Sequence, residues 1–374
     1  MDFSYSEEER SLRELAARQF DARFSDDLRK QFRRSGQPYD VHLWSSLAEA
    51  GLLGAAADAR HGGSGLGLAG LTLLLEEQGR TLAALPLLPT LLMGALPLER
   101  FGSPAQQQLL PRVLAGEILL TAAFEESAGG DPAQPATAAR AAADGWHLSG
   151  EKICVPYAAQ AHSLLVPAHT TVGPQMFVIE AGVPGLEIEP QAVTSGEPQA
   201  RVVLRDVCAA GHQLLGAPAD AVVRWTLERA QVGYAALQLG VLQEALRRAA
   251  LYVSERQQFG RSIGSFQAVQ HRLADCYIEL EALRSAYLRA LWLLGEELAG
   301  AAEVLAAKWW SARAGHRVSH AVQHVHGGLG ADVEYPIHAF FLTANQLSLA
   351  LGGGTAALAR VGALLAAGQV AAFT

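Results

Sequence analysis

The chain has 374 residues, a formal net charge of −8 and a hydrophobic content of 50%, so it is long enough for two or three domains with a large core. The acidic balance leaves no basic stripe for nucleic acid, and Cys154, Cys208 and Cys276 lack any C-x-x-C spacing, which argues against a zinc site or a disulfide framework and for a reducing compartment. MDFSYSEEER contains no apolar signal core and no apolar run reaches about eighteen residues, so the expectation is a cytoplasmic protein without a membrane span.

Residues 1–117 read as an N-terminal α-helical domain. Ser6 and Glu9 form a capping-box pattern ahead of Leu12, Leu15, Ala16 and Phe20, whose spacing lays one apolar stripe on a helix. Further helical patterns cover Leu71–Leu82 and the stretch after Ser103 through QQQLLPRVLAGE. Between the first two, Gly65-Leu66-Gly67-Leu68-Ala69-Gly70 fits G-x-G-x-x-G by letter. It follows no hydrophobic strand and has no acidic residue about twenty positions on, so it reads as a loop and not as a dinucleotide fingerprint.

From residue 118 to 217 the texture changes to short apolar or alternating runs such as ILLTAAF, SLLVPA, QMFVIEA and RVVLRDV, separated by Gly, Pro, Asp and Ser. That pattern predicts a middle antiparallel β-barrel domain. From 218 to 374 helical periodicity returns. One pattern runs almost unbroken from 219 to 257, and others cover Gln267–Leu298 and Ala301–His324, which with the tail make a C-terminal four-helix bundle. The expected fold class is therefore α+β and multidomain.

The most informative stretch is Arg256–Asp275, RQQFGRSIGSFQAVQHRLAD, followed by HGGLG at His326–Gly330. An Arg, an aromatic, two glycines and an amide at a turn between helices suit a phosphorylated ligand: the guanidinium binds a pyrophosphate bidentately, and glycine lets backbone come close to it. The order R-x-x-F-G, F-Q, G-G-x-G resembles the acyl-CoA dehydrogenase family over essentially the whole chain. The resemblance implies FAD as cofactor, an acyl-CoA thioester as substrate, an electron-transfer flavoprotein as electron acceptor, and a tetramer in which a neighbouring subunit grips the adenosine half of the flavin. The matching positions are Arg256, Phe259, Gln267, Gly327 and Gly328, with Gln323 or His324 in place of a family Gln. His320, His324 and His326 lack an accompanying acidic ligand, so no metal is expected there.

On the flavin-ring side the family pattern T-E-P-x-A-G-S-D corresponds to Phe124-Glu125-Glu126-Ser127-Ala128-Gly129-Gly130-Asp131. The pattern G-x-K-x-W-I-T corresponds to Gly150-Glu151-Lys152-Ile153-Cys154-Val155-Pro156. Phe124, Gly129, Gly130, Cys154, Pro156 and, in the tail, Thr355 are the implied ring-side contacts. Cys154 replaces a Trp and Pro156 a Thr, which removes stacking area and a hydroxyl.

The resemblance also implies a Glu that removes the α-proton while hydride leaves the β-carbon. One family position for it falls on Gly353, within Gly352-Gly353-Gly354-Thr355. The other, twenty-six residues before Arg256, falls on Ala230. Glu228 is the nearest carboxylate. Two helical residues rotate a side chain by about 200°, so Glu228 serves as base only if a local bulge turns it. Glu125, Glu126 and Glu334 are weaker candidates.

Four readings follow. The chain is an active dehydrogenase with a displaced base; or the base-deficient subunit of a heterotetramer, in which a related dehydrogenase chain supplies the Glu; or a thioester-binding protein without redox activity; or a flavin monooxygenase of the same fold.

Overall fold

The first helix begins where the sequence places it. Ser6 N–H donates to Glu9 Oε2 (2.7 Å) and Glu9 N–H to Ser6 Oγ (3.1 Å), closing the capping box, and α1 (Glu7–Arg23) buries Leu12, Ala16 and Phe20. The computed structural model describes residues 4–23, 25–216 and 220–369. Two compact units are present, one comprising residues up to Gln37, Thr72–Ala83 and everything from Gln231, the other Pro38–Leu71 and Ala84–Ala230. The boundary expected at 217/218 lies outside the described residues.

The first unit is helical. It holds α1, α2 (Asp26–Ser35), most of α4 (Gly67–Thr81) and of α8 (Ala221–Glu255), then α9 (Gln267–Gly295), α10 (Ala301–Val325), α11 (Pro336–Leu349) and α12 (Gly353–Ala366). Helices α4 and α8 cross with their backbones in contact. A Cβ on Gly79 would fall on the Leu237 carbonyl, and one on Gly240 on the Glu76 carbonyl. Glycine here is a packing requirement and not a helix defect.

The tail supplies two helices where one was expected. Pro336–Ala366 contains an 18-residue window of mean hydropathy 1.5, as long and apolar as a membrane span by composition alone. It is broken at Leu351 (φ 54°), Gly352 (φ 92°) and Gly353 (φ 68°) into helices of 14 residues each. Each falls short of the roughly 20 residues a spanning helix needs.

The second unit contains α3 (Val41–Glu49), a fully buried π-helix (Leu88–Ala95), three short helices and a seven-stranded sheet. The pattern after Ser103 forms α6 (Pro104–Gln107) and α7 (Leu110–Leu114), preceded by α5 (Leu96–Phe101). Pro111 lies in the first turn of α7, where its missing N–H leaves no bond unmade. The strands are β1 (Leu120–Ala122), β2 (Ala138–Ala142), β3 (Gly145–Pro156), β4 (Ser163–Thr170), β5 (Gly173–Glu180), β6 (Leu186–Gln191) and β7 (Gln199–Ala209).

The expected closed antiparallel barrel needs correction. The strand order is β1-β4-β2-β3-β7-β6, with β5 on the other edge of β4, and β5 and β6 are not paired, so the sheet is a half-barrel. Strands β1 and β2 also run parallel to β4. Alternating hydrophobicity identifies strands but carries no information on direction or closure, which connections decide. Leu148, Leu164, Val166, Phe177, Ile179, Val202, Leu204 and Val207 form the core beneath the sheet, with Trp146 edge-on to Phe177 at 5.7 Å.

Candidate functional site

Helix α8 ends one residue before Arg256. Beyond it, β8 (Gln257–Gln258) and β9 (Arg261–Ser262) form a hairpin whose central residues, Phe259 (φ 54°) and Gly260 (φ 79°), both adopt the left-handed conformation of a tight turn. Phe259 is 92% exposed, edge-on to Phe266 at 6.1 Å, and the Arg261 guanidinium lies 4.1 Å over Phe266. Gln267 opens α9 directly after that ring. Arg256 and Gln267 are exposed as well.

The Gly-Gly loop is fixed to the same end of the bundle. Tyr252, one turn before Arg256, stacks on His326 at 4.3 Å, and His326 Nδ1 bonds to the Val322 carbonyl at 2.7 Å. His326 is buried, and burial pushes its pKa down, so the ring is a neutral spacer between α8 and the loop. Gly327 (φ 60°) and Gly328 are exposed, and a Cβ on either would meet open space, so the backbone here is open to a ligand.

Gln323 and His324 have separate tasks. Gln323 Nε2 donates to the Gly330 carbonyl (3.2 Å) and holds the loop closed. Arg272 Nη1 donates to His324 Nδ1 (2.6 Å), because a guanidinium has no acceptor, and that leaves Nε2–H of the exposed His324 as a donor. A groove of ≈ 770 Å³ lined by Arg272, Arg317, His320, His324 and Gly327 runs alongside. Tyr252 belongs to this cluster but lies outside the motifs, while Arg272 and His326 lie within them without a role that spacing assigns.

The ring-side positions have little to donate. Cys154 sits at a bulge in β3 with φ 51°, and its N–H is taken by Gln191 Oε1 at 2.7 Å. Burial, with the charges of Glu125 and Glu197, pushes its thiol pKa up. Pro156 has no N–H, and its carbonyl accepts from Thr121 Oγ1 at 2.6 Å. Phe124 is buried, while Gly129 (φ 69°) and Gly130 (φ 108°) form an exposed turn. Glu126 accepts from the N–H groups of Ala136 and Thr137, from the Thr137 hydroxyl and from Lys152 Nζ. That removes Glu126 from the candidate bases. Nothing in the sequence spacing pointed to this pairing.

The carboxylate positions remain empty. Helix α8 is unbroken from Ala221 to Glu255, so the bulge that would turn Glu228 toward the side of Ala230 is absent. Ala230 is fully buried and Glu228 half-buried. In the tail, Lys308 Nζ donates to the carbonyls of Leu347 (3.0 Å) and Ser348 (3.4 Å), fixing the end of α11. Beyond it Gly353 has φ 68° and ψ −177°, a region essentially reserved for glycine. Thr355 is exposed in the first turn of α12. Glu334 is exposed and faces Arg34 at 3.3 Å, an ordinary surface pair.

The acyl-CoA dehydrogenase N-terminal domain model matches residues 6–117, and the acyl-CoA dehydrogenase C-terminal domain model matches residues 221–362. The chain is a member of the acyl-CoA dehydrogenase family. It is 36% identical to acyl-CoA dehydrogenase FadE27 of Mycobacterium tuberculosis over 98% of this chain and 99% of that one. Among solved structures it resembles the Tcur3481-Tcur3483 steroid ACAD (44% identity, TM-score 0.93, covering 98% of this chain and 99% of that one). It also resembles the ChsE4-ChsE5 complex of Mycobacterium tuberculosis (35%, TM-score 0.94, all of both chains).

Membership makes this a flavoprotein oxidoreductase acting on acyl-CoA, with FAD as cofactor. The residues fit that group unevenly. The exposed Arg256, the open glycines and the donor on exposed His324 suit its phosphates and adenosine. Cys154 and Pro156 offer its ring neither an indole nor a hydroxyl nor a free backbone N–H.

Proposed function

We propose that this chain is the base-deficient subunit of a heteromeric acyl-CoA dehydrogenase that desaturates a bulky, steroid-derived acyl-CoA and passes electrons to an electron-transfer flavoprotein. One observation carries the reading: Gly353, at the family's base position, is held in a conformation that a Glu adopts only with strain, while Ala230, the alternative position, is sealed in the helix. Loss of a base together with ring-side donors, and retention of an exposed clamp, is a combination that a shared active site tolerates and a self-sufficient one does not. The names of the two structural relatives, each joining two designations and one specifying a steroid ACAD, support the same arrangement.

In this reading FAD, when bound, supplies the hydride acceptor, and the partner supplies the carboxylate that takes the α-proton. This chain's contribution is to bind. Arg256 neutralises phosphate charge, Gly327 and Gly328 let backbone approach it, and His324 offers a further donor.

The test is to purify the chain alone and together with a related dehydrogenase chain, and to count flavin. Expected results are a colourless chain alone, flavin at one per pair on co-expression, and anaerobic bleaching of the pair by a steroid acyl-CoA. Arg256→Ala in this chain would strip flavin from the pair. A chain that binds one flavin unaided and is bleached by acyl-CoA would overturn the proposal.

A further inference from the structure

Three donor side chains that no motif above includes converge at one corner of the sheet. Antiparallel pairing sets His147 on β3 opposite Cys208 on β7, so both project from the same face. The turn between β2 and β3 carries Asp144 to them. His147 Nε2 lies 3.1 and 3.2 Å from Asp144 Oδ1 and Oδ2, and Cys208 Sγ lies 3.8 Å from Asp144 Oδ2. Gly145 permits this, with φ 136°, since a Cβ there would collide with the Ala209 carbonyl. Behind the imidazole, Asp206 Oδ2 is 3.1 Å from Nδ1. Asp206 itself has φ 55°.

We propose that Asp144, His147 and Cys208 form a zinc site, with Asp206 orienting the imidazole and water as fourth ligand. Zinc takes thiolate, imidazole and carboxylate at about 2.0–2.3 Å, which around a tetrahedron places ligand atoms about 3.3–3.6 Å apart. The three atoms lie within 4.8 Å of one another, and the two pairs that include Asp144, at 3.1 and 3.8 Å, bracket that requirement, so an ion enters by small side-chain rotations. A thiolate and an imidazole select zinc over calcium or magnesium, whose ligands are oxygens. In the structure Nε2–H faces the Asp144 carboxylate, so the ion takes the place of that proton, and Asp206, 3.1 Å from Nδ1, stands where the outer-shell partner of a ligating histidine stands. Among the described residues no other group of three His, Cys, Asp or Glu side chains meets this spacing. Asp144 and Cys208 are exposed, so the ion has an open path and room for its water. Bound there, it staples the β2–β3 turn to β7, a structural role independent of flavin and thioester.

The experiment strips the purified protein, with its partner chain where needed for solubility, using a chelator and titrates zinc against a chromophoric competitor. One tightly held zinc per copy of this chain is expected. It is lost in His147→Gln and in Cys208→Ser, kept in Cys154→Ser, and weakened by about 10–100-fold in Asp206→Asn. Cobalt in place of zinc should give a thiolate-to-metal absorption that Cys208→Ser abolishes. Because these side chains lie at the surface, the metal-free variants should keep the wild-type circular dichroism. Absence of stoichiometric binding, or binding that survives His147→Gln combined with Cys208→Ser, would overturn the assignment.

Discussion

Lys152 Nζ donates a 2.7 Å hydrogen bond to Glu126 Oε1 with the lysine wholly out of water and the Glu126 side chain 10% exposed. Burial lowers the Lys152 pKa to about 8 against the pull of its partner. Glu126 also receives two N–H groups and a hydroxyl from Ala136 and Thr137. The pair therefore ties the segment after β1 to β2 and β3, and Glu126 stands where the family pattern has Pro. Glu126→Gln strands an ammonium in the interior, and we expect a loss of about 3–5 kcal/mol in chemical unfolding. Adding Lys152→Met should recover most of it. A single variant as stable as wild type would show the pair to be dispensable.

The same carboxylate sets an acid limit. Burial alone would raise the Glu126 pKa, but the Lys152 hydrogen bond and charge and the Thr137 donors outweigh it and hold the value below 4.5. A depressed folded-state pKa means the stabilisation is complete above the unfolded value and disappears as pH falls through the folded one. Melting temperature should thus fall more steeply below about pH 4.5 in wild type than in Glu126→Gln with Lys152→Met. Parallel profiles for the two proteins would sink this account.

Several of these relationships were not legible in the sequence, for definite reasons. The capping box at Ser6 and the turn around Phe259-Gly260 are local, so residue type alone declares them, whereas the two-stranded pairing across that turn is not written in the spacing. Strand direction in β1 and β2, the crossing at Gly79 and Gly240, and the pairing of Lys152 with Glu126 depend on residues distant in sequence, where spacing says nothing. Motif spacing singled out Arg256 and the Gly-Gly loop, but their anchoring through Tyr252 on His326 is a packing fact. The empty base positions could be read as letters, whereas the backbone that keeps Gly353 a glycine could not.

That backbone yields a direct prediction. With φ 68° and ψ −177° at Gly353, any side chain strains the loop by about 1–3 kcal/mol. Gly353→Glu should lower the melting temperature and confer no dehydrogenation on the chain alone, and Gly353→Ala should be destabilised to a similar degree. Acyl-CoA-dependent bleaching by Gly353→Glu without its partner would show that a carboxylate was all the site lacked.

The α4–α8 crossing offers a test of packing. Gly240→Ala drives a methyl group into the Glu76 carbonyl, so the helices must separate along their contact. A loss of about 1–3 kcal/mol is expected, despite the better helix propensity of alanine. If Gly240→Ala proved more stable than wild type, the crossing would be looser than described.

Glu228 decides between a displaced base and none. It lies two residues before the buried Ala230 on a helix without a break, so its carboxylate is rotated by about 200° from that position. Removing a general base loses about 10²–10⁴-fold in rate. We expect Glu228→Gln in the assembled enzyme to change turnover far less than that, while the corresponding removal of the partner's carboxylate abolishes it. Steady-state turnover of acyl-CoA by the two assemblies, measured at equal flavin content, makes the comparison. A collapse of activity in Glu228→Gln with flavin retained would return this chain to the set of self-sufficient dehydrogenases.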